Sequence, residues 1–435
     1  MQLLACAIKS ATHHYTNKVL TEKDKNNFLG FDRRVFILGF ARMADAMGNS
    51  FLIVVLPLYI ASENIEGEFL GLKESLITGI ILGVFGLITS LSQPFTGRLS
   101  DKLGKRKLFV VIGLLLFTLA NFSYSYAHTY TFLMLIRVAQ GIAAAFTITA
   151  SLALVSELSH KANRGNNMGV YNAFRLIGFG VGPLGSGLLV ENGPYYLPLI
   201  GEINGFVAAF LVAASAALLS ALLVSFFVKD PEETQPSKRK IKIRLKAKNP
   251  DKLLDPIFAL ALATLVMSFG FSLLAPIEAI TNERLSQGAF MFSLEFSALI
   301  GALAIIQPIV GKASDTYGRR IFIVTGLICL VPIVFLEGLV TEPWHLISLR
   351  ALHGVSAAMV FAPSLALAGD LAEEGQTGSQ LALVTMAFGL GISLGSFVSG
   401  YAVRFGYLTP FAIGAFMAAI GVLIVTTQIP KKEPD

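Results

Sequence analysis

The chain has 435 residues, of which 54% are hydrophobic and only 14% are charged. These charged residues cannot supply the polar surface that a water-soluble protein of this length needs, which excludes a soluble domain. The formal net charge of +6 falls in short loops between apolar segments, so it indicates membrane orientation and argues against a nucleic-acid partner.

The apolar runs are roughly 20 residues long, about twice the length of a membrane-spanning β-strand, and therefore predict α-helices that cross a lipid bilayer. Forty glycines agree with this, because glycine lets membrane helices approach closely. Cys6 and Cys329 cannot form a disulfide framework or a cysteine metal site. We expect no metal and no cofactor.

The predicted elements begin with a cytoplasmic tail over residues 1–33. The apolar runs place six spans in each half of the chain, near 35–60, 75–97, 108–127, 131–156, 168–190, 197–228, 255–281, 292–311, 321–341, 345–370, 380–403 and 408–429. The predicted domains are an N-terminal six-helix bundle, a cytoplasmic basic linker, a C-terminal six-helix bundle and a cytoplasmic C-terminal tail, over residues 34–228, 229–254, 255–429 and 430–435.

Lysines and arginines are concentrated in the loops after the second and eighth spans, whereas the loops on the other side are mostly acidic. Because short cytoplasmic loops carry the positive excess, both termini are predicted to be cytoplasmic, in a plasma (inner) membrane protein. The linker segment from Lys240 to Lys248 has two open interpretations. It is either a basic strip on anionic lipid headgroups or a solvated tether.

The two halves of the chain contain an internal repeat. The segment QPFTGRLSDKLGKRK from Gln93 recurs as QPIVGKASDTYGRRI from Gln307, an offset of 214 that pairs Arg106 with Arg320. The match continues at an offset of 213, which pairs Arg137 with Arg350. Since each half contains an even number of spans, the repeat is parallel, with a pseudo-two-fold axis along the membrane normal and a cavity between the halves.

The segment GRLSDKLGKRK resembles the loop signature of the major facilitator superfamily. The resemblance implies an all-α major facilitator fold, with twelve transmembrane helices in two parallel-repeat six-helix bundles, and a monomer. It also implies a latch that stabilises one cavity orientation; the alternative is that the aspartates only fix loop geometry. The latch residues are Gly97, Asp101, Gly104, Arg106, Gly311, Asp315, Gly318, Arg320, Glu157 and Asp370.

The predicted fourth span, LMLIRVAQGIAAA, resembles the family pattern of an intramembrane arginine followed by glutamine and glycine. In proton-coupled relatives the arginine that matches Arg137 is associated with proton transfer, and Gln140 completes the pattern. A buried arginine is costly in lipid, so it should face a cavity or an acid. In the second half His353 stands where Gln140 does, and it is either titratable near neutral pH or a neutral hydrogen-bonded residue.

The predicted fifth span, GVYNAFRLIGFGVGPLGSG, resembles the antiporter signature of drug-exporting branches, through Gly169, Gly178, Gly182, Pro183 and Gly187. Its small residues and proline bend predict tight packing against the other half that seals one side. The alternative is an ordinary close-packed helix pair.

The predicted first span contains DAMG followed by LP and resembles tetracycline-type drug:proton antiporters. Arg42, Asp45 and Asn49 fall on one helical face, which should look into the cavity. Asp45 is the first candidate for a protonatable residue, and the alternative is that it only neutralises Arg42. Further cavity candidates are Asn172, Arg175, Glu278 and Glu295, although the two glutamates lie near predicted outer span ends, where solvation is equally plausible.

Together these features predict a secondary active transporter that works by alternating access. The preferred hypothesis is proton-coupled export of a small organic or amphiphilic compound, driven by a proton gradient. The alternatives are a nutrient symporter or uniporter of the same fold. A polytopic membrane enzyme is disfavoured, because we find no nucleophile or metal constellation and no phosphate-binding loop. We expect the first, fourth and fifth spans to carry the mechanism.

Overall fold

Among the residues that the computed structural model describes, twelve helices are long and apolar enough to cross a membrane. The structure describes residues 27–28, 31–62, 64–67, 69–158, 164–198, 201–230, 245–247, 252–372 and 377–430. Most of the predicted N-terminal tail, most of the basic segment from Lys240 to Lys248 and the last residues of the predicted C-terminal tail lie outside these ranges.

The described residues of the N-terminal half form six long helices and two short strand pairs. The helices are α1 Arg33–Ile60, α2 Glu74–Leu103, α3 Arg106–Ser123, α4 Tyr130–Leu158, α5 Arg164–Glu191 and α6 Gly205–Phe227. Strands β1 Asn27–Phe28 and β2 Phe31–Asp32 pair antiparallel, as do β3 Tyr195–Leu197 and β4 Gly201–Ile203. The Asn204 side chain caps α6 by accepting a 2.8 Å hydrogen bond from the Val207 amide.

The C-terminal half repeats this order with one interruption. Its helices are α7 Pro256–Phe271, α8 Glu278–Leu285, α9 Ala289–Tyr317, α10 Arg319–Glu337, α11 Pro343–Asp370, α12 Thr377–Ala402 and α13 Thr409–Gln428. A 3₁₀ turn over Ala275–Ile277 joins α7 to α8, so that both belong to the seventh span, Pro256–Leu285. This break near the end of the span places Glu278 at the start of a new helix.

The predicted end of the second span, at residue 97, was wrong. Helix α2 continues to Leu103, so Arg98 and Lys102 are helical residues instead of loop residues. The helix stops at Gly104, whose φ of 64° is left-handed and whose amide bonds back to the Ser100 carbonyl over 3.0 Å. A change of hydropathy does not end a helix; a residue that can leave the helical conformation does.

The helices pack in the same way in both halves. Within each half the first helix packs on the fifth, as α1 on α5 and α7 on α12, and the second packs on the fourth, as α2 on α4 and α9 on α11. The two halves meet at α2–α12 and at α5–α9, which are equivalent contacts in the internal repeat. We call the end of the bundle with the α2–α3 and α9–α10 turns the signature face, and the other end the opposite face.

Small residues and backbone carbonyls form the α2–α12 seam. The Ser393 hydroxyl donates to the Gly83 carbonyl over 2.7 Å, and the Ser75 hydroxyl donates to Gly400 over 3.2 Å. These contacts run from the opposite face to about the middle of the bundle. Hydroxyls that bond to carbonyls satisfy their polar groups without water and let the two helices approach closely.

We predict that Gly86→Val destabilises the folded protein at this seam. A Cβ atom at Gly86 would lie 2.9 Å from the Gly389 carbonyl oxygen, so the helices must separate. Overpacking of this kind costs about 1–3 kcal/mol. The measurement is the thermal unfolding midpoint of purified protein. The control is Gly301→Val on α9, where a Cβ atom has nothing within 4 Å; equal midpoints for the two variants would contradict the prediction.

Candidate functional site

The first signature copy forms a compact charge cluster around Arg106. This arginine is 4% exposed, pairs with Asp101, and donates to Glu157 Oε1 over 3.1 Å from Nε and 3.0 Å from Nη2. It also donates to the Ser100 hydroxyl over 3.0 Å. The cluster therefore ties together the ends of α2, α3 and α4, all within the N-terminal half.

In the second copy Arg319, and not the predicted Arg320, occupies the equivalent position. Arg319 pairs with both Asp315 and Asp370, whereas Arg320 donates to the Thr426 carbonyl over 2.8 Å. The reason is Lys105, an extra residue in the first turn. The offset changes from 214 to 213 at this lysine, and Arg106 and Arg319 are then the first residues of α3 and α10.

The glycines of the fifth span divide between two partners. A Cβ atom at Gly178 or Gly182 would collide with the α1 backbone, whereas one at Gly187 would collide with Ser293 and Ala289 of α9. Gly187 therefore packs against the other half, and the other two pack inside their own half. Gly169 has nothing within 4 Å, and Pro183 is buried inside α5.

The repeat mates in α12 divide in the same way. Gly391 and Gly395 pack on α7, and Gly400 crosses to α2. The glycine spacing thus places one helix against two neighbours in each half, although only α5 carries the proline.

Arg42 and Asp45 form an ion pair inside the N-terminal half. Asp45 is 4% exposed, and a small crevice beside the pair is lined only by residues of this half, among them Thr147, Ser151 and Tyr171. The expectation that this charged face looks into a cavity between the halves is not met, because α1 turns it toward α4 and α5. Oδ1 of Asp45 has no hydrogen-bond partner.

Arg137 belongs to a buried network of neutral partners. The Tyr124 hydroxyl donates to Gln140 Oε1 over 2.7 Å, and Arg137 Nη1 donates to the same oxygen over 3.2 Å. The Gln140 amide nitrogen donates to Asn121 over 2.6 Å. The guanidinium also lies over the Phe85 ring, 5.5 Å from its centroid. Its charge is therefore stabilised by dipoles and a ring face.

The matching place in the C-terminal half is built from ionisable groups. His353 Nδ1 lies 3.0 Å from Glu337 Oε1, and Arg350 Nε lies 3.8 Å from the same oxygen. All three side chains are at most 1% exposed. Sequence reasoning missed Glu337, which ends an apolar span without a recognisable motif. Its position 213 residues after Tyr124 was the signal that could have found it.

Glu278 and Glu295 extend this group. Both are fully buried, so the alternative of solvated helix ends is wrong for them. Glu295 is within electrostatic range of Glu278, Arg350 and Glu337. The nearby Gln287 amide donates to Asn282 over 3.0 Å instead, and all four carboxylate oxygens of Glu278 and Glu295 lack a hydrogen-bond partner. We call Glu278, Glu295, Glu337, Arg350 and His353 the carboxylate cluster.

The remaining predicted site residues lie apart from this cluster. Asn49 and Arg175 are partly buried and Asn172 is exposed on α5. Arg175 is within electrostatic range of Arg42 and Tyr171, so it belongs with the Asp45 crevice. Among the residues that the structure describes, no three His, Cys, Asp or Glu side chains are placed to hold a metal ion.

Comparison with known proteins decides the family. The model of the Major Facilitator Superfamily matches residues 38–259 and 260–435, which is nearly the whole chain. The chain belongs to the Major Facilitator Superfamily. The predicted fold, with twelve transmembrane helices in two parallel bundles, is therefore confirmed, and this facilitator is an integral membrane transporter and not an enzyme.

Proteins related to this chain, and proteins whose solved structures resemble it, are also transporters. The quinolone resistance protein NorA of Staphylococcus aureus is 24% identical over 404 residues, covering 91% of this chain and 97% of NorA. A peptide transporter POT solved with alafosfalin has a TM-score of 0.74 at 13% identity, covering 92% and 94% of the two chains. A bacterial homologue of the human lysosomal transporter Spinster, in an inward-facing and occupied conformation, has a TM-score of 0.70 at 13% identity, covering 90% and 94%.

We predict unequal roles for the two signature arginines of this facilitator. Arg106→Gln leaves Asp101 and Glu157 without their shared, buried partner, which costs about 3 kcal/mol. Arg319→Gln costs roughly 1 kcal/mol or less, because Asp315 and Asp370 are 60% and 51% exposed and water can replace the guanidinium. The measurement is the thermal unfolding midpoint of each variant. A larger loss for Arg319→Gln than for Arg106→Gln would refute the assignment.

Proposed function

We propose that this facilitator exports a small organic or amphiphilic compound by alternating access and couples export to inward proton flow. The relatives named quinolone resistance protein support export, and the helix-1 and helix-5 patterns resemble drug:proton antiporters. The proton gradient is the proposed energy source, and a monomer is the proposed functional unit.

The burial of unpaired carboxylates carries the proton-coupling proposal. Glu278 and Glu295 lie inside a membrane-spanning bundle with no hydrogen-bond partner for any carboxylate oxygen. An ionised carboxylate is costly there, and a bound proton removes the charge without any change in packing. Groups that must be protonated when buried, and can ionise when wet, are what a proton-coupled cycle requires.

We propose that the signature face is cytoplasmic and that the structure is open on that face. The positive loops lie at the signature face, in keeping with the rule for cytoplasmic loops. The contacts between the halves described above run from the opposite face to mid-depth. The likeness to a transporter solved in an inward-facing conformation supports the same state.

Transport should depend on an imposed proton gradient. We expect purified protein in liposomes to move a fluorescent quinolone against its concentration gradient only when the proton gradient is present. The measurement is quinolone accumulation with and without a protonophore, in vesicles whose protein orientation has been determined. Accumulation that the protonophore does not change would refute coupling, and flux in the same direction as the proton would favour an uptake symporter.

Variants of the Arg42–Asp45 pair separate a proton carrier from a counter-ion. Asp45→Asn leaves Arg42 as a buried charge without its acid, so we expect uphill export to be lost. The double variant Arg42→Gln with Asp45→Asn removes both charges. If Asp45 carries the proton, the double variant stays inactive in the same liposome assay. Recovery of uphill export in the double variant would assign Asp45 to charge neutralisation alone.

A further inference from the structure

Two networks occupy the same three positions of the internal repeat. Tyr124, Arg137 and Gln140 map at the constant offset of 213 onto Glu337, Arg350 and His353. The mates also keep their contacts, since Tyr124 bonds to Gln140 over 2.7 Å and Glu337 lies 3.0 Å from His353. We call the first set the neutral triad and the second set the titratable triad.

The two triads differ in what a proton can do there. Glutamine cannot titrate, and tyrosine ordinarily holds its proton to about pH 10, so the neutral triad keeps one charge state at physiological pH. Glutamate and histidine both exchange protons with water at accessible pH values. The repeat therefore supplies an internal comparison in which the position in the fold is held constant and the chemistry changes.

The balance of charges in the carboxylate cluster favours proton binding there. Glu278 on α8, Glu295 on α9 and Glu337 on α10 could carry three negative charges when ionised, against one positive charge on Arg350. A bundle interior cannot hold that excess without water. Two further groups lie at the edge of the cluster: Tyr407, which bonds to Thr281 over 3.2 Å, and Arg284, whose guanidinium stacks on the Tyr407 ring.

The surroundings of His353 favour the exchange of a proton with Glu337. In the neutral triad the second polar group of Gln140 bonds to Asn121, whereas the mate of Asn121 is Val334 and Nε2 of His353 has no partner. The imidazole packs instead against Phe271, with ring centroids 5.6 Å apart. A neutral imidazole that carries its proton on Nδ1 would donate it to the Glu337 carboxylate over this contact, and an additional proton would neutralise that carboxylate or form an imidazolium.

We propose that the titratable triad is a proton-binding site of this transporter and that the neutral triad is its fixed-charge counterpart. When a proton binds to the Glu337–His353 pair, Arg350 no longer has to balance Glu337 and becomes available to Glu295, which is within electrostatic range. The triad is buried here and lies toward the opposite face, where α10 ends and α11 begins. It therefore exchanges its proton when that face opens. This inference rests on the proposed proton coupling.

The test is a proton count on purified full-length protein, which needs no substrate. Protons bound per molecule are measured with a pH indicator between about pH 5.5 and pH 8.5. We expect Glu337→Gln to bind fewer protons than the unmodified protein over this range, because the variant removes the carboxylate that pairs with His353. Tyr124→Phe, at the equivalent repeat position, is the matched control and should leave the count unchanged.

The following outcomes would overturn the proposal. An unchanged count in Glu337→Gln, or an equal loss in Tyr124→Phe, overturns the proposal, as does a proton lost only in Glu278→Gln or Glu295→Gln. If Glu337→Gln does not yield monodisperse protein, His353→Gln replaces it, and a titration curve identical to that of the unmodified protein overturns the proposal.

Liposome measurements distinguish this inference from the proposed function. Suppose that the unmodified protein shows no proton-driven quinolone flux, but that Glu337→Gln binds fewer protons than the unmodified protein. The proton-binding site is then supported and proton-coupled export is refuted. If proton-driven flux is present and Glu337→Gln changes neither the flux nor the proton count, export stands and the site fails. Loss of both in Glu337→Gln, with flux intact in the unmodified protein, supports the two together.

Discussion

Burying a charge inside a membrane-spanning bundle is costly, and the rest of the structure depends on that constraint. Every buried ionisable group must be balanced by another side chain, by backbone dipoles or by a proton. Arg106 is balanced by two acids, Asp45 by Arg42, and Arg137 by neutral dipoles and an aromatic ring. Glu278 has none of these partners, and Glu295 has to share Arg350 with Glu337, so a bound proton is the proposed means of balance.

The internal repeat makes the two halves mechanically alike and electrostatically different. Equivalent helices of the two repeats make equivalent contacts. The α1–α5 contact corresponds to α7–α12, and the α2–α12 seam corresponds to the α5–α9 seam. Gly187 and Gly400 meet the other half at matching depths, so both seams can move in a similar way. The group of three buried glutamates, in contrast, lies in the C-terminal half.

The α2–α12 seam between the halves is built from neutral groups, whereas at the rim of the α5–α9 seam the Glu191 carboxylate accepts a 2.9 Å hydrogen bond from the Phe290 amide. The α2–α12 contact uses hydroxyls and carbonyls, such as Ser393 with Gly83, and the signature ion pairs stay within one half. A hydroxyl that leaves a carbonyl costs little if water replaces it, whereas separating a buried ion pair costs several kcal/mol, on the order of 3–5. The halves can therefore part without breaking the contacts that hold each half together.

The sequence by itself determined the membrane class, the number of spans and the parallel repeat. The thickness of the lipid bilayer sets the length of each apolar run, and an even number of spans in each half makes both halves enter the membrane from the same side. It also located Arg137, Glu278 and His353. Only the tertiary structure decided which residues meet: that Arg319 replaces Arg320, that Asp45 faces its own half, and that Glu337 joins His353. Hydropathy and motifs report position along a helix, whereas a contact depends on how each helix is rotated against its neighbours, which packing alone settles.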